Sequence, residues 1–121
     1  MESQLRLEVR RLGNVPYAEA VQLQQALVAD RRAGRFPDLL LLMQHPHVVT
    51  LGVSARHSLS NLRVSESALR AKGVELCEAP RGGDITYHGP GQIVGYPIVD
   101  LRPNRCDVHR YVRDLETVLM R

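Results

Sequence analysis

RGGDITYHGPGQ, running from Arg81 to Gln92, holds four of the nine glycines of a 121-residue chain. Gly82-Gly83 and Gly89-Pro90-Gly91 bracket the alternating run Ile85 to His88, a layout that predicts loop, brief strand and tight turn. Glycine at such points permits positive φ and close approach of the backbone to a ligand. The amide N–H groups of such a loop, flanked by Arg81 and His88, can line a pocket and donate to a carbonyl or anionic oxygen. The same residue types also build ordinary solvated turns, so the local pattern leaves both readings open.

Upstream of this stretch the chain alternates between strand and helix patterns. Leu5, Leu7 and Val9 interleave with Arg6, Glu8 and Arg10, the period of a half-buried strand. Asn14 and Pro16 supply helix-start chemistry, and Tyr17, Ala20, Val21, Leu27 and Val28 share one face of a helix that ends near Arg31, Arg32 and Gly34 and packs on a sheet. After a turn at Phe36-Pro37-Asp38, the apolar run Leu39 to Met43 predicts a strand buried on both faces. Gln44 to His47 predicts a turn, and Val48 to Leu51 a further strand ending at Gly52. His45 and His47, with His57 nearby, invite a zinc reading. No fourth ligand stands at metal spacing and the turn beside Pro46 accounts for the segment, so no metal is expected. Ser54 to Asn61 reads as a polar loop, and Ser65 opens a short helix through Lys72 with Gly73 at its stop.

Val74 to Cys77 predicts a strand leading through Pro80 into the glycine segment, with Cys77 an inert thiol in the strand interior. Beyond that segment, Ile93 to Leu101 reads as another strand, and Gly-Pro-Gly between two adjacent strands predicts a hairpin. Arg102 to Arg105 is a loop. Asp107 is a good N-cap for a helix whose Val108, Tyr111, Val112, Leu115, Val118 and Leu119 fit the amphipathic template. Cys106 sits just ahead of that cap with no base beside it to activate it.

Composition bounds the function. Hydrophobic residues make up 44% and charged residues 24%, as in an ordinary soluble domain, and the length suits one domain, residues 1–121. Two cysteines without C-x-x-C spacing give no disulfide framework and suit a reducing cytoplasm. No run approaches transmembrane length, and the charged N-terminus has no signal-peptide character, so no membrane partner is expected. The net charge is +3 and Lys72 is the single lysine; without a basic run or interleaved aromatics, nucleic acid is not expected, and codon bias or an acidic protein partner fits the arginine excess.

Read whole, RGGDITYHGPGQIVGYPIVDL, Arg81 to Leu101, closely resembles the signature of the octanoyl-acyl-carrier-protein:protein N-octanoyltransferase family, the lipoyl(octanoyl) transferases. Gly13-Asn14-Val15-Pro16-Tyr17 and QHPHVVTLG, Gln44 to Gly52, resemble further family segments in the family's order. The resemblance covers essentially the whole chain but about the N-terminal half of a family member. It implies an α/β fold, a mixed sheet flanked by helices as in biotin and lipoate protein ligases, apparently truncated at its C-terminus. It implies a cytoplasmic enzyme that moves an octanoyl group from acyl carrier protein, through a cysteine thioester, to a lysine of lipoyl domains in 2-oxoacid dehydrogenases and the glycine cleavage H protein, with no cofactor. Its substrate-binding segment falls on Arg81, Gly82, Gly83, Asp84, Ile85, Thr86, Tyr87 and His88, as one wall of the acyl pocket with polar groups near the thioester carbonyl.

The departures from the family pattern are equally specific. The family's acyl-accepting cysteine, in a Pro-Cys-Gly context, and its activating lysine both belong downstream of Arg121. Cys77 and Cys106 stand in other contexts, and Lys72 precedes the signature. No catalytic residue is therefore assigned, and the chain alone is expected to be inactive or nearly so. Two alternatives stay beside this reading. One is a non-catalytic module that keeps an acyl or carrier-protein surface. The other is an ATP-dependent ligase of the lipoate or biotin class, against which the Tyr-His-Gly-Pro-Gly wording speaks.

Overall fold

The computed structural model describes residues 6–55, 62, 64–102 and 107–121. Leu5, His57 and Cys106, most of the loop expected over 54–61 and most of that over 102–105 lie outside the described residues. The elements run β1 (Leu7–Asn14), α1 (Tyr17–Arg32), β2 (Asp38–Gln44), β3 (Val48–Leu51), a single 3-10 turn (Val53–Ala55), α2 (Glu66–Ala71), β4 (Glu75–Glu78), β5 (Ile85–His88), β6 (Val94–Ile98) and α3 (Val108–Leu119).

Among the described residues the strands form two mixed three-stranded sheets flanked by helices, as expected of the fold class, in the orders β1-β2-β6 and β4-β3-β5. Each has the same wiring. A central strand pairs in parallel with a neighbour reached through a helix, and in antiparallel with a strand from later in the chain. Parallel neighbours require such a crossover, which α1 supplies between β1 and β2, and α2 between β3 and β4. The hairpin expected across Gly89-Pro90-Gly91 does not form. β5 pairs with β3 (Thr50 opposite Thr86), and β6 pairs with β2 (Leu41 opposite Tyr96). The chain leaves one sheet for the other at His45-Pro46-His47 and returns at the Gly-Pro-Gly turn. The two crossings are tied where the Gly91 amide donates to Gln44 Oε1 at 2.9 Å.

The main core lies between α1 and the first sheet. Ala20 and Leu27 of α1 pack on Leu39, Leu41 and Met43 of β2 and on Ile98 of β6, with Leu12, Leu23 and Tyr96 around them. The strand expected to be buried on both faces is buried on one: Leu39, Leu41 and Met43 are inside, while Leu40 and Leu42 are half-buried beside Val9, which is exposed. β3 is the strand buried along its whole length. α1 starts at Pro16 without a side-chain cap, so Pro16's fixed φ rather than Asn14 marks its start, and Gly34 follows its end at φ +74. Ser65 caps α2 by accepting from the Ala68 amide, and Lys72 is its C-terminal cap. α3 is capped by Asp107 as expected, and its Tyr111 and Leu115 are half-buried while Val108, Val118 and Leu119 are exposed. Among the described residues no helix is long and apolar enough to cross a membrane.

Candidate functional site

The glycine loop from Arg81 to Asp84 is held by its own carbonyls. Arg81 O accepts from the Val53 amide at 3.0 Å, Gly83 O from the Ser54 amide at 3.0 Å, and Asp84 O from the Gly52 amide at 2.6 Å. Gly82 O accepts from Arg81 Nη1 at 2.9 Å. The four carbonyls of the loop thus face protein donors. Arg81 is the clamp: its Nη2 also reaches Thr50 O at 3.0 Å and Thr50 Oγ1 at 2.7 Å. Its terminal nitrogens are turned into the loop and β3, a planar fork fitted to several acceptors at once. Two glycines make the fit possible. A Cβ on Gly52 would run into the Gly83 carbonyl and stand 2.6 Å from Arg81 Nη1, and Gly83 itself sits at φ +87.

Beyond the loop, Ile85 and His88 are half-buried and Thr86 and Tyr87 exposed, so each face of the short strand is covered at one end only. Tyr87 and His47 hydrogen-bond through the Tyr87 hydroxyl and His47 Nδ1 and stack with ring centroids 5.9 Å apart. His88 lies on the other side of the strand, stacked on Tyr17 at 6.2 Å and meeting His45 edge-on at 5.9 Å. Burial, then the neighbouring His45 and Arg81, hold His88 below the usual imidazole range, so its ring is neutral at pH 7.

His45 is the centre of that cluster. It is fully buried at the break between β2 and β3, with Nδ1 2.7 Å from the Val15 carbonyl and Nε2 2.7 Å from the Tyr96 hydroxyl. Tyr17, at the start of α1, meets it edge-on at 5.4 Å. Sequence reasoning took Gln44 to His47 as a turn and missed this role; the available signal was a histidine seated between two apolar strands inside the QHPHVVTLG segment. His45 and His47 have separate partners. Among the described residues no group of three or more His, Cys, Asp or Glu is placed to hold a metal ion.

Tyr17, Val21, Gln24, Gln25, Val28, Pro80, Arg81 and Tyr96 enclose a cavity of about 500 Å³ beside the cluster. Burial, with Tyr17 as the lesser cause, pushes the Tyr96 hydroxyl up to about 12, so it keeps its proton. A somewhat larger cavity, about 570 Å³, lies at the other end of α1 among Arg31, Arg32 and residues 97–102. It takes in residues 97–101 of the signature but none of Arg81 to His88, the segment whose resemblance implies substrate contact. Cys77 of β4 is half-buried and packs on the cluster formed by Tyr17, Val48 and Ala79. Burial and then Glu75 raise its thiol above the ordinary range, which disfavours the thiolate.

Comparison with known proteins agrees with this architecture. Residues 16–121 match the family described as lipoyl protein ligase A/B catalytic domain. The octanoyltransferase of Rubrobacter xylanophilus is 54% identical over 99% of this chain and 53% of its own length, and that of Solibacter usitatus 47% identical over 93% and 50%. The chain therefore spans about half the length of these relatives. Among solved structures, a Thermoplasma acidophilum protein described as a lipoate protein ligase superposes with a TM-score of 0.56 at 16% identity, over 93% of this chain and 44% of that one, which shows the shared fold. An archaeal bi-partite lipoate protein ligase solved with its E2 lipoyl domain gives a TM-score of 0.50 at 18% identity, over 74% of this chain and 34% of that one. The fold, the signature loop and these matches converge: the chain belongs to the lipoyl protein ligase A/B catalytic-domain family, and the relatives named above are octanoyltransferases.

Proposed function

We propose that this chain carries the acyl-donor wall of an octanoyltransferase site, which passes an octanoyl group from acyl carrier protein to a lysine of a lipoyl domain through a cysteine thioester. The observation that carries the reading is the inward anchoring of all four carbonyls from Arg81 to Asp84. A loop whose acceptors are engaged with the protein offers its amide edge to an incoming oxygen. In acyl transfer the thioester carbonyl oxygen gains negative charge as the new bond forms, and fixed N–H donors stabilise it without reorganising. In the second step the lysine nitrogen bonds to the acyl carbon as the carbon–sulfur bond breaks, and the amine proton goes to the departing thiolate. Ile85 and the neighbouring apolar side chains flank the acyl chain, while neutral His88 adds no competing charge.

The nucleophile is not Cys77, whose thiol is raised and whose partner is a carboxylate, Glu75, 3.9 Å away. The family's shared lipoyl chemistry supports a lipoyl domain as acceptor, and cytoplasmic location follows from that reading. The chain by itself then binds octanoyl-acyl carrier protein but transfers nothing. The test is a titration of the labelled chain with octanoyl- and unloaded acyl carrier protein, followed by intact mass after adding a lipoyl domain. We expect the amides of Gly82 and Gly83 to shift with the octanoyl form alone, and no adduct on the chain. An octanoyl thioester on Cys77, or amide shifts indifferent to the acyl group, would overturn the assignment.

A further inference from the structure

β1 is an edge strand: among the described residues its one neighbour is β2, so its other side offers backbone N–H and C=O groups to a further strand. Charged side chains usually guard such an edge. On β1 they stand with opposite signs on one face. Glu8 and Arg10 share the face of Leu12, which packs on the main core; there Arg10 Nε donates to Glu8 Oε1 at 3.0 Å, and the guanidinium lies over the Phe36 ring at 4.8 Å. Leu7 and Val9 point to the opposite face and are 56% and 48% exposed, Val9 in a row with Leu40 and Pro97 across the sheet.

A second β1 laid antiparallel along this edge has few registers open to it. Residues directly opposite share a face, so a twofold axis between the copies passes through a residue. Centred on Val9, the register sets Glu8 of each copy opposite Arg10 of the other, Val9 against Val9, and Leu7 against the alkyl stem of Arg11. Centred on Glu8 or on Arg10, it sets like charges face to face, which destabilises. The charges that guard the edge against other strands thus suit this one.

We infer that β1 is an interface strand for a second copy of this chain, paired antiparallel about Val9 into a six-stranded sheet in which Glu8 and Arg10 of both copies form a ring of four alternating charges. A second copy is the occupant these observations favour, because its strand carries the complementary signs at the matching spacing. The surface leaves room for it. The chain exposes 8991 Å², where a compact protein of 13.6 kDa exposes about 6,600 Å². That excess is larger than the roughly 800 Å² each partner contributes to a standard interface. The inference stands apart from the transferase reading and uses none of its substrates.

The test is the solution mass of the chain by sedimentation from micromolar to millimolar concentration, repeated with charge variants and a crosslink. We expect the mass to rise with concentration from 13.6 kDa to twice that value. Glu8→Arg should weaken the dimer about tenfold, near 1.4 kcal/mol over the two symmetry-related pairs, and adding Arg10→Glu, which exchanges the signs, should restore it. In Val9→Cys, mild oxidation should join two chains through position 9, as peptide mass reads, because opposed strand residues on the axis lie within disulfide reach. A monomer at every concentration overturns the inference and leaves the edge to a different chain; the native protein decides this without any variant. A dimer that ignores both charge changes, or that lacks the crosslink at position 9, places the contact on another face and overturns it as well.

Discussion

The two sheets have the same wiring and are held together by different means. The first, β1-β2-β6, is a packing solution: α1 lays Ala20 and Leu27 on Leu39, Leu41, Met43 and Ile98, and six buried side chains close the core. The second, β4-β3-β5, has the smaller apolar cluster of Tyr17, Val48 and Ala79. Its loop end is fixed instead by Arg81, Thr50 and the Gly52 amide. Hydrophobic burial is tolerant of small shifts, whereas a guanidinium fork aimed at three carbonyls and a hydroxyl demands one geometry. Arg81 to His88, the segment that resembles the family's substrate-binding stretch, belongs to the polar-clamped sheet and its loop, whereas Val94 to Ile98 of the same signature form β6 of the first sheet. A site that must present amides at fixed positions is built where hydrogen bonds, rather than side-chain volume, set the backbone.

Substitutions can break this contrast. Leu41→Ala removes a fully buried side chain from the central strand of the first sheet and should cost about 4 kcal/mol in urea unfolding, the upper part of the range for such cavities. Its effect should be global, with the slope of the unfolding curve unchanged. Gly52→Ala should cost about 3 kcal/mol, because its Cβ has to displace the Gly83 carbonyl and Arg81. Amide spectra should change first at residues 81–84, and a cost no larger than that of an exposed Gly→Ala change would show that the clamp yields freely. Arg81→Lys keeps the charge and loses the fork, for about 2 kcal/mol, with faster hydrogen exchange at the Gly52, Val53 and Ser54 amides. If those amides stay protected, the second sheet is held by packing like the first.

The smallest expected effect concerns pH. His88 in the folded chain titrates below its ordinary 6.5. As pH falls through about 6.5, the unfolded chain takes up a proton that the folded chain does not, so stability declines from there down to the folded value and is fully present above 6.5. His88→Gln should flatten that part of the stability–pH curve. An unchanged slope would assign the decline to other groups.

Much of this was legible in the sequence, and the unread part has a common cause. Alternation in Leu7 to Arg10, the run Leu39 to Met43 and the Ser65 and Asp107 caps each report a local period or a local hydrogen bond, and the elements stand where those signals put them. Which strand lies beside which is a tertiary fact. Gly89-Pro90-Gly91 is good hairpin chemistry, yet β5 and β6 find better partners in β3 and β2, so the turn becomes a crossing between sheets. The candidate site divides the same way. Arg81 to His88 is contiguous and therefore readable; Tyr17, His45 and Tyr96 meet only because three separate elements converge. The inward turn of Arg81 was hidden too, because composition announces a guanidinium without saying where it points.

The crossing at Gly91 also orders events during folding. β1, α1 and β2 can associate as soon as they exist, but β2 takes its antiparallel neighbour from beyond the entire second sheet. Closing that long loop is entropically unfavourable until the intervening β3, α2, β4 and β5 have shortened it by pairing among themselves. The first sheet is thus the first to begin and the last to finish, and a nascent chain waits with one edge of β2 unpaired until β6 arrives.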